Sequence, residues 1–184
     1  MQELTDEQQL LNAITRQSFT AFAQRAFLSV EGEYAAFEYN WHIECIAEHL
    51  EAVYRGEISK LVINVPPRTL KTFLTSVAFP AWVLGQVPSS KFIGTSYTGS
   101  LCEDFVVNCK SILNDDWYKQ CYPHVRIDGK HDRQTDFKTT AKGRYYAAGI
   151  LGTITGKGAD YVLCDDPLNP NEALSHTLRV STNN

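Results

Sequence analysis

The segment Val65-Pro66-Pro67-Arg68-Thr69-Leu70-Lys71-Thr72 gathers two cations and two hydroxyls in one short stretch, directly after the β-branched run Leu61-Val62-Ile63-Asn64-Val65. A loop that leaves a strand and enters a helix aims backbone N–H groups and a positive helix end at an anion. In that setting Lys71 reaches the β- and γ-phosphates of a nucleotide, the Thr72 hydroxyl binds Mg²⁺, and Arg68 forks onto further phosphate oxygens. Pro66, Pro67, Thr69 and Leu70 complete the candidate nucleotide loop. The pattern departs from G-x-x-x-x-G-K-[ST], because Val65 and Leu70 stand where the glycines would be. Taken alone, a Lys-Thr pair opening a helix reads equally as a solvated first turn.

A second constellation lies about ninety residues downstream, where the apolar run Tyr161-Val162-Leu163-Cys164 ends in Asp165-Asp166-Pro167. Asp165 suits an Mg²⁺-linked carboxylate, and Asp166 suits the group that orients or deprotonates an attacking water. Pro167 forces the chain out of the strand. The plain alternative is a polar turn that caps a strand. Together, a strand–Lys-Thr–helix unit and a strand–Asp-Asp unit fit a nucleotide site at the carboxyl ends of a parallel sheet.

The elements that must hold these residues can be traced along the chain. Thr5 and Gln8 make a capping box, after which Leu11, Ile14, Ser18 and Phe22 recur at helical spacing. A second amphipathic helix starts near Trp41, carries Ile43, Ile46, Ala47, Leu50 and Val53 on one face, and stops at Gly56. Residues 61–65 predict a buried strand. Helical periodicity then runs from Thr72 to about Leu84, with Pro80 as a kink or stop. Lys91–Ser96 predicts a strand, Gly99 to Leu113 a helix, residues 135–150 strands or a hairpin, and Tyr161–Cys164 the last strand. This alternation predicts an α/β fold with a mostly parallel sheet of the P-loop NTPase type, flanked by helices. The expected organisation is a helical lead-in over residues 1–58, packed on a nucleotide-binding core over residues 59–184.

Composition narrows the class. The 184 residues are 43% hydrophobic and 21% charged, as in ordinary globular domains, so disorder and fibrous repeats are excluded. No apolar run approaches the ~18 residues needed to cross a bilayer, and the acidic N-terminus does not resemble a secretory signal. The formal charge of -4 excludes a basic nucleic-acid wrapper as a description of the whole chain. Charge is uneven: residues 1–60 hold 4 basic and 10 acidic side chains, residues 61–184 hold 13 and 11. Contact with a polyanion is therefore expected from the second part. Cys45, Cys102, Cys109, Cys121 and Cys164 are odd in number and widely spaced, which predicts reduced thiols, with Cys164 in the core.

At these residues the sequence resembles the large terminase subunit of tailed bacteriophages and prophages. The likeness rests on Trp41-His42-Ile43, on Leu61 through Thr72 with its Pro-Pro-Arg-x-x-Lys-Thr loop, and on Thr95-Ser96-Tyr97. It continues through Leu151 to Asp160 and closes on Asp165-Asp166-Pro167 and Leu168 to Ala173. The resemblance implies an ATPase with ATP and Mg²⁺ as cofactors, working in the bacterial host cytoplasm. It implies a ring of subunits around the capsid portal that drives double-stranded DNA into the capsid, with the small terminase subunit as a further partner and a monomer as the alternative in isolation. Arg68, Lys71 and Thr72 become the phosphate and Mg²⁺ residues, Asp165 the Mg²⁺ carboxylate, and Asp166 the residue in the place often held by a catalytic Glu. His42 falls near the adenine, and Arg144 or Arg133 supplies a trans-acting arginine. The family's nuclease domain is expected to be absent from a chain ending at Asn184, together with the last strand or strands of the ATPase sheet. A truncated, inert nucleotide-binding remnant and a helicase-like ATPase are the competing readings.

Other residues carry open alternatives. Arg126, Lys130, Arg133, Lys138, Lys142 and Arg144 form the densest basic stretch, offset by Asp128, Asp132 and Asp136. It reads as a track for DNA phosphates or as a solvated mixed-charge hairpin. Thr153, Thr155, Gly156 and Gly158 read as a ligand-facing loop or a simple turn. His49, His124, His131 and His176 have no metal-ligand spacing.

Overall fold

The computed structural model describes residues 4–32, 34–150, 152 and 156–168. Helices come first: α1 (Asp6–Gln17), α2 (Phe19–Glu31) and α3 (Trp41–Tyr54). The capping box forms as expected, with the Thr5 side chain accepting from the Gln8 N–H and the Gln8 side chain answering the Thr5 N–H. The single periodic stripe does not survive. Ser18 ends α1 in an extended conformation, and its side chain accepts from the Ala21 N–H to start α2, so the phase is reset there. Leu11 and Ile14 are exposed, while Asn12 and Thr15 are buried. The buried face of α1 is polar because it docks by hydrogen bonds: Arg25 donates to Asn12 Oδ1 at 2.9 Å, and the Cys121 thiol donates to the same oxygen at 3.1 Å. In α3, Ile43, Ile46, Ala47 and Leu50 are buried as the spacing requires, and Gly56 closes the helix at φ 76°.

A π-helical turn, Phe73–Ala78, runs directly into α4 (Phe79–Gln86). Pro80 neither stops nor visibly breaks the helix. It sits in the first turn of α4, where a missing N–H is tolerated. Pro80 has no N–H to offer the carbonyl of Ser76, four residues earlier. That carbonyl accepts from the buried Tyr145 hydroxyl at 2.6 Å, which pins the π turn to the sheet. Tyr145→Phe leaves the buried carbonyl without that donor and should cost about 1–3 kcal/mol in urea unfolding.

Strand β1 (Lys91–Ser96), α5 (Gly99–Asn114), α6 (Asp116–Cys121), β2 (Ile127–Asp132), β3 (Asp136–Thr139), β4 (Arg144–Gly149) and β5 (Tyr161–Cys164) follow. They form a five-stranded mixed sheet of order β2-β3-β4-β1-β5. β4, β1 and β5 are parallel, and the β2-β3-β4 side is antiparallel. The expectation of an α/β fold holds, but the sheet is not mostly parallel, since two of its four strand pairings, β2–β3 and β3–β4, are antiparallel; β3–β4 is the hairpin read from residues 135–150. Strand β2 had no sequence signal, since Ile-Asp-Gly-Lys-His-Asp is mostly polar and lies on the outer edge of the sheet.

Residues 61–65 correct the expectation of a buried strand. They belong to no strand of the sheet. Leu61, Ile63 and Val65 pack on the core, whereas Asn64 is exposed and Val62 is 88% exposed. The stretch lacks a neighbouring backbone to pair with among the described residues. Cys164, expected in the core, is exposed on the outer face of β5; the face alternates along the strand, and Tyr161 and Leu163 take the core side. All five thiols are free. One core cluster joins Phe19, Phe22, Ile43, Phe79, Phe92 and Tyr145, so the N-terminal helices share the core of the sheet. Among the described residues no helix is long and apolar enough to cross a membrane.

Candidate functional site

The loop from Pro66 to Leu70 is held in an unusual conformation. Arg68 and Leu70 have φ of 62° and 60°, the left-handed region that glycine enters freely. Leu70 thus adopts, without being glycine, the backbone form that the usual pattern assigns to glycine at this place. Between them, the Thr69 hydroxyl donates to the Pro66 carbonyl at 2.8 Å, and His42 donates from Nε2 to the Thr69 carbonyl at 3.2 Å. A carbonyl only accepts, so this contact places the hydrogen on Nε2. His42 therefore braces the loop from α3, and sequence periodicity carried no signal of that contact. Arg68 is exposed, with no ion-pair partner among the described residues.

The helix opened by Lys71 and Thr72 meets the end of β5. Lys71 Nζ lies 2.5 Å from Asp166 Oδ1 and 3.0 Å from Asp165 Oδ1. The Thr72 hydroxyl donates to the other oxygen of Asp165, Oδ2. Four residues from two distant segments thus form one cluster. β1 sets its height: the Asp165 N–H donates to the Thr95 carbonyl at 2.9 Å, and the Tyr97 N–H to the Asp166 carbonyl at 3.2 Å. Asp165 is buried, while the Asp166 side chain is 62% exposed. Asp166 has φ 43°, a conformation that Asp and Asn tolerate better than most residues. Partial burial pulls the Lys71 pKa down, but hydrogen bonds to Asp166 and Asp165 outweigh it and the net shift is upward. Lys71 is a cation throughout the neutral range.

Two cavities meet at this cluster. One of about 500 Å³ is bounded by Pro66–Phe73 and by Leu101, Asp104, Phe105 and Asn108 on α5. Asp104 and Asn108 are one helical turn apart and face the loop; their i, i+4 spacing was the available signal, and the sequence reading passed over it. The other cavity, about 900 Å³, lies between residues 58–64 and β5. Lys71 and Asp166 line both.

Oxygen ligands suit Mg²⁺, which takes one or two carboxylates and completes its shell with water and phosphate. Asp165 and Thr72 present such oxygens at one point, so the residues fit the ion. Among the described residues no group of three or more His, Cys, Asp or Glu side chains gathers as a metal site, here or elsewhere.

The remaining candidates are dispersed. Arg144 is forked onto Asp136 at 2.8 and 2.7 Å and packs over Tyr146; the Asp136 hydrogen bonds raise its pKa, with a smaller opposing effect from burial. Lys110 pairs with Asp132 at 2.6 Å and His131 with Asp128 at 3.1 Å. Each acid of the basic stretch is therefore engaged. Arg126, Lys130, Arg133, Lys138 and Lys142 remain without ion pairs among the described residues. Leu151, Thr153 to Thr155, Asn169 to Ala173 and His176 lie outside the described residues.

No protein-family model matches the chain, and no curated protein matches it. The functional reading therefore stands on the residues and their geometry.

Proposed function

We propose that this chain is the ATP-hydrolysing motor part of a large terminase subunit, which drives double-stranded DNA into a phage capsid. The observation that carries the reading is the meeting of Lys71 and Thr72 with Asp165 and Asp166 across 93 to 95 residues of chain. A lysine and a hydroxyl opening a helix, set against two carboxylates at a strand end, are the parts that phosphoryl transfer to water requires.

In this reading Arg68, Lys71 and the loop amides bind the phosphates, and His42 keeps the loop in its left-handed turn. Asp165 and the Thr72 hydroxyl would hold Mg²⁺, which when bound neutralises charge on the phosphate oxygens. Lys71 exchanges its two carboxylate partners for phosphate oxygens, and this releases Asp166. The exposed Asp166 carboxylate then accepts a hydrogen bond from the attacking water and orients it in line with the bond that breaks. Catalysis is mainly positioning and charge neutralisation.

The DNA partner is proposed from the five cations on and beside the β2–β3 hairpin that make no ion pair among the described residues. Their engagement of phosphates would release counterions and make binding steeply salt-dependent. The test is ATP turnover with and without a blunt duplex, together with duplex affinity as a function of salt. Turnover should rise with DNA. The log–log salt slope should fall between roughly -3 and -4.5 if most of the five cations engage, and by about one less in Lys138→Ala. Hydrolysis indifferent to DNA, with salt-independent binding, would remove the packaging reading.

A further inference from the structure

The cavity of about 500 Å³ beside the loop has walls of opposite charge. Arg68, Lys71 and Thr72 all border it, whereas the larger cavity touches only Lys71 of these three. A nucleotide held at its phosphates by those residues therefore lies in the smaller cavity, whose volume is within the ~300–1,000 Å³ range of small-molecule sites. Asp166 also borders it and is engaged by Lys71. The other walls bring in Glu31, at the end of α2, and Asp104, on α5. These acids repel phosphate and suit a neutral group that donates hydrogen. Leu70 and Leu101, partly buried and packed on the core, add apolar surface for a flat ring. Asp104 is exposed and Asn108 half-buried; neither side chain makes a hydrogen bond or ion pair among the described residues. His42, expected near the base, lines neither cavity and gives its Nε2 hydrogen to the Thr69 carbonyl.

We propose that α5 reads the base of the bound nucleotide through Asp104 and Asn108, and that this base is adenine. The two residues are one helical turn apart and border the same cavity. The Asn108 amide offers an acceptor and a donor side by side, the pair that adenine meets with its N6 amino group and N7. Asp104, an acceptor only, takes the second hydrogen of the same amino group. In guanine and hypoxanthine a carbonyl oxygen replaces that amino group, so two acceptors would face each other there with no hydrogen between them. The inference rests on the nucleotide reading of the loop and adds to it the part of the ligand that the loop does not recognise.

Calorimetric titration of the full chain with the Mg²⁺ complexes of ATP, ITP, GTP and inorganic tripolyphosphate tests it by binding alone. ATP should bind more tightly than ITP by roughly 5- to 150-fold, the worth of one bidentate contact to a base. Asn108→Ala should bring ATP to the level of ITP, and Asp104→Ala should narrow the same gap. Neither variant should bind tripolyphosphate more weakly than the unaltered chain. An ATP preference that survives both substitutions would overturn the assignment to α5. Equal loss of ATP and tripolyphosphate in both variants would make these residues supports of the loop and overturn base reading. Tighter binding of GTP than of ATP would overturn adenine. Equal binding of ATP, ITP and GTP would overturn the inference and leave the phosphate site standing. If neither ATP nor tripolyphosphate binds, the nucleotide reading itself fails and takes the inference with it.

Discussion

Lys71→Ala should weaken Mg²⁺-ATP binding by roughly 10- to 100-fold, the worth of charge-assisted hydrogen bonds to phosphate. Turnover at saturating nucleotide should fall by about 10²–10³. The two effects have separate origins. Binding loses the cation that answers the phosphate charge, and turnover loses the donor that follows charge onto the transferring oxygens. In the free protein the same substitution leaves Asp165, buried, and Asp166 facing each other across the place of Nζ, which stood within 3.0 Å of both. A melting curve is therefore recorded beside the calorimetric titration, and Lys71→Arg serves as the charge-preserving comparison. Arginine keeps the positive charge but not the compact ammonium that fits between two carboxylates, so fold is kept while turnover stays low. The Lys71 pKa is raised, so its contribution is fully present below about its ordinary value of 10.5 and is lost only as pH rises beyond it. Any change in activity between pH 6 and 9 must come from other groups. Undiminished nucleotide binding by a folded Lys71→Ala protein would sink the assignment of the site.

Much of the frame was legible in the residues because it depends on local chemistry. β1 and β5 are short apolar runs with turn residues at their ends, and α3 carries its buried face at regular helical spacing. The carboxylate pair and the Lys-Thr pair were each visible as segments, and the fold brings them within hydrogen-bonding distance. What could not be read is whatever depends on a partner distant in sequence. Leu61–Val65 has the composition of a strand, but a strand exists only where another backbone pairs with it. Leu11 and Ile14 have helical spacing, yet α1 presents Asn12 and Thr15 inward, where the Asn12 amide oxygen accepts from α2 and α6 and the Thr15 hydroxyl donates within its own helix, although the Asn12 amide nitrogen is left without a partner. The contact from His42 to the Thr69 carbonyl joins elements 27 residues apart, and the left-handed turns at Arg68 and Leu70 carry no glycine to announce them. Loop geometry of this sort is fixed by the packing around it, not by the propensities of its own residues.

Asp166→Asn separates the contact of this carboxylate with Lys71 from the role in orienting water proposed for it. At φ 43° asparagine is among the few residues that keep the backbone unstrained, so the substitution changes charge and leaves the turn intact; alanine would not be so clean. If Asp166 orients the attacking water, turnover should drop by about 10²–10⁴, the usual range for loss of a general base. Binding of Mg²⁺-ATP should be retained or become tighter, because Asp166 Oδ1 sits 2.5 Å from Lys71 Nζ and competes with phosphate for that cation. Asp165→Asn should behave in the opposite way, since Asp165 is buried and shares its oxygens between Lys71 and Thr72. Its loss should appear first as a higher Mg²⁺ requirement, with ATP binding at saturating metal largely restored. Single-turnover phosphate release at several Mg²⁺ concentrations reads both variants in one experiment. Full turnover in Asp166→Asn would reduce this carboxylate to a counterion of Lys71. A raised Mg²⁺ requirement in that same variant would exchange the roles of the two aspartates. The outcome turns on one methylene: an aspartate must reach the water from the strand end itself, and only its 62% exposure and its release from Lys71 leave it free to do so.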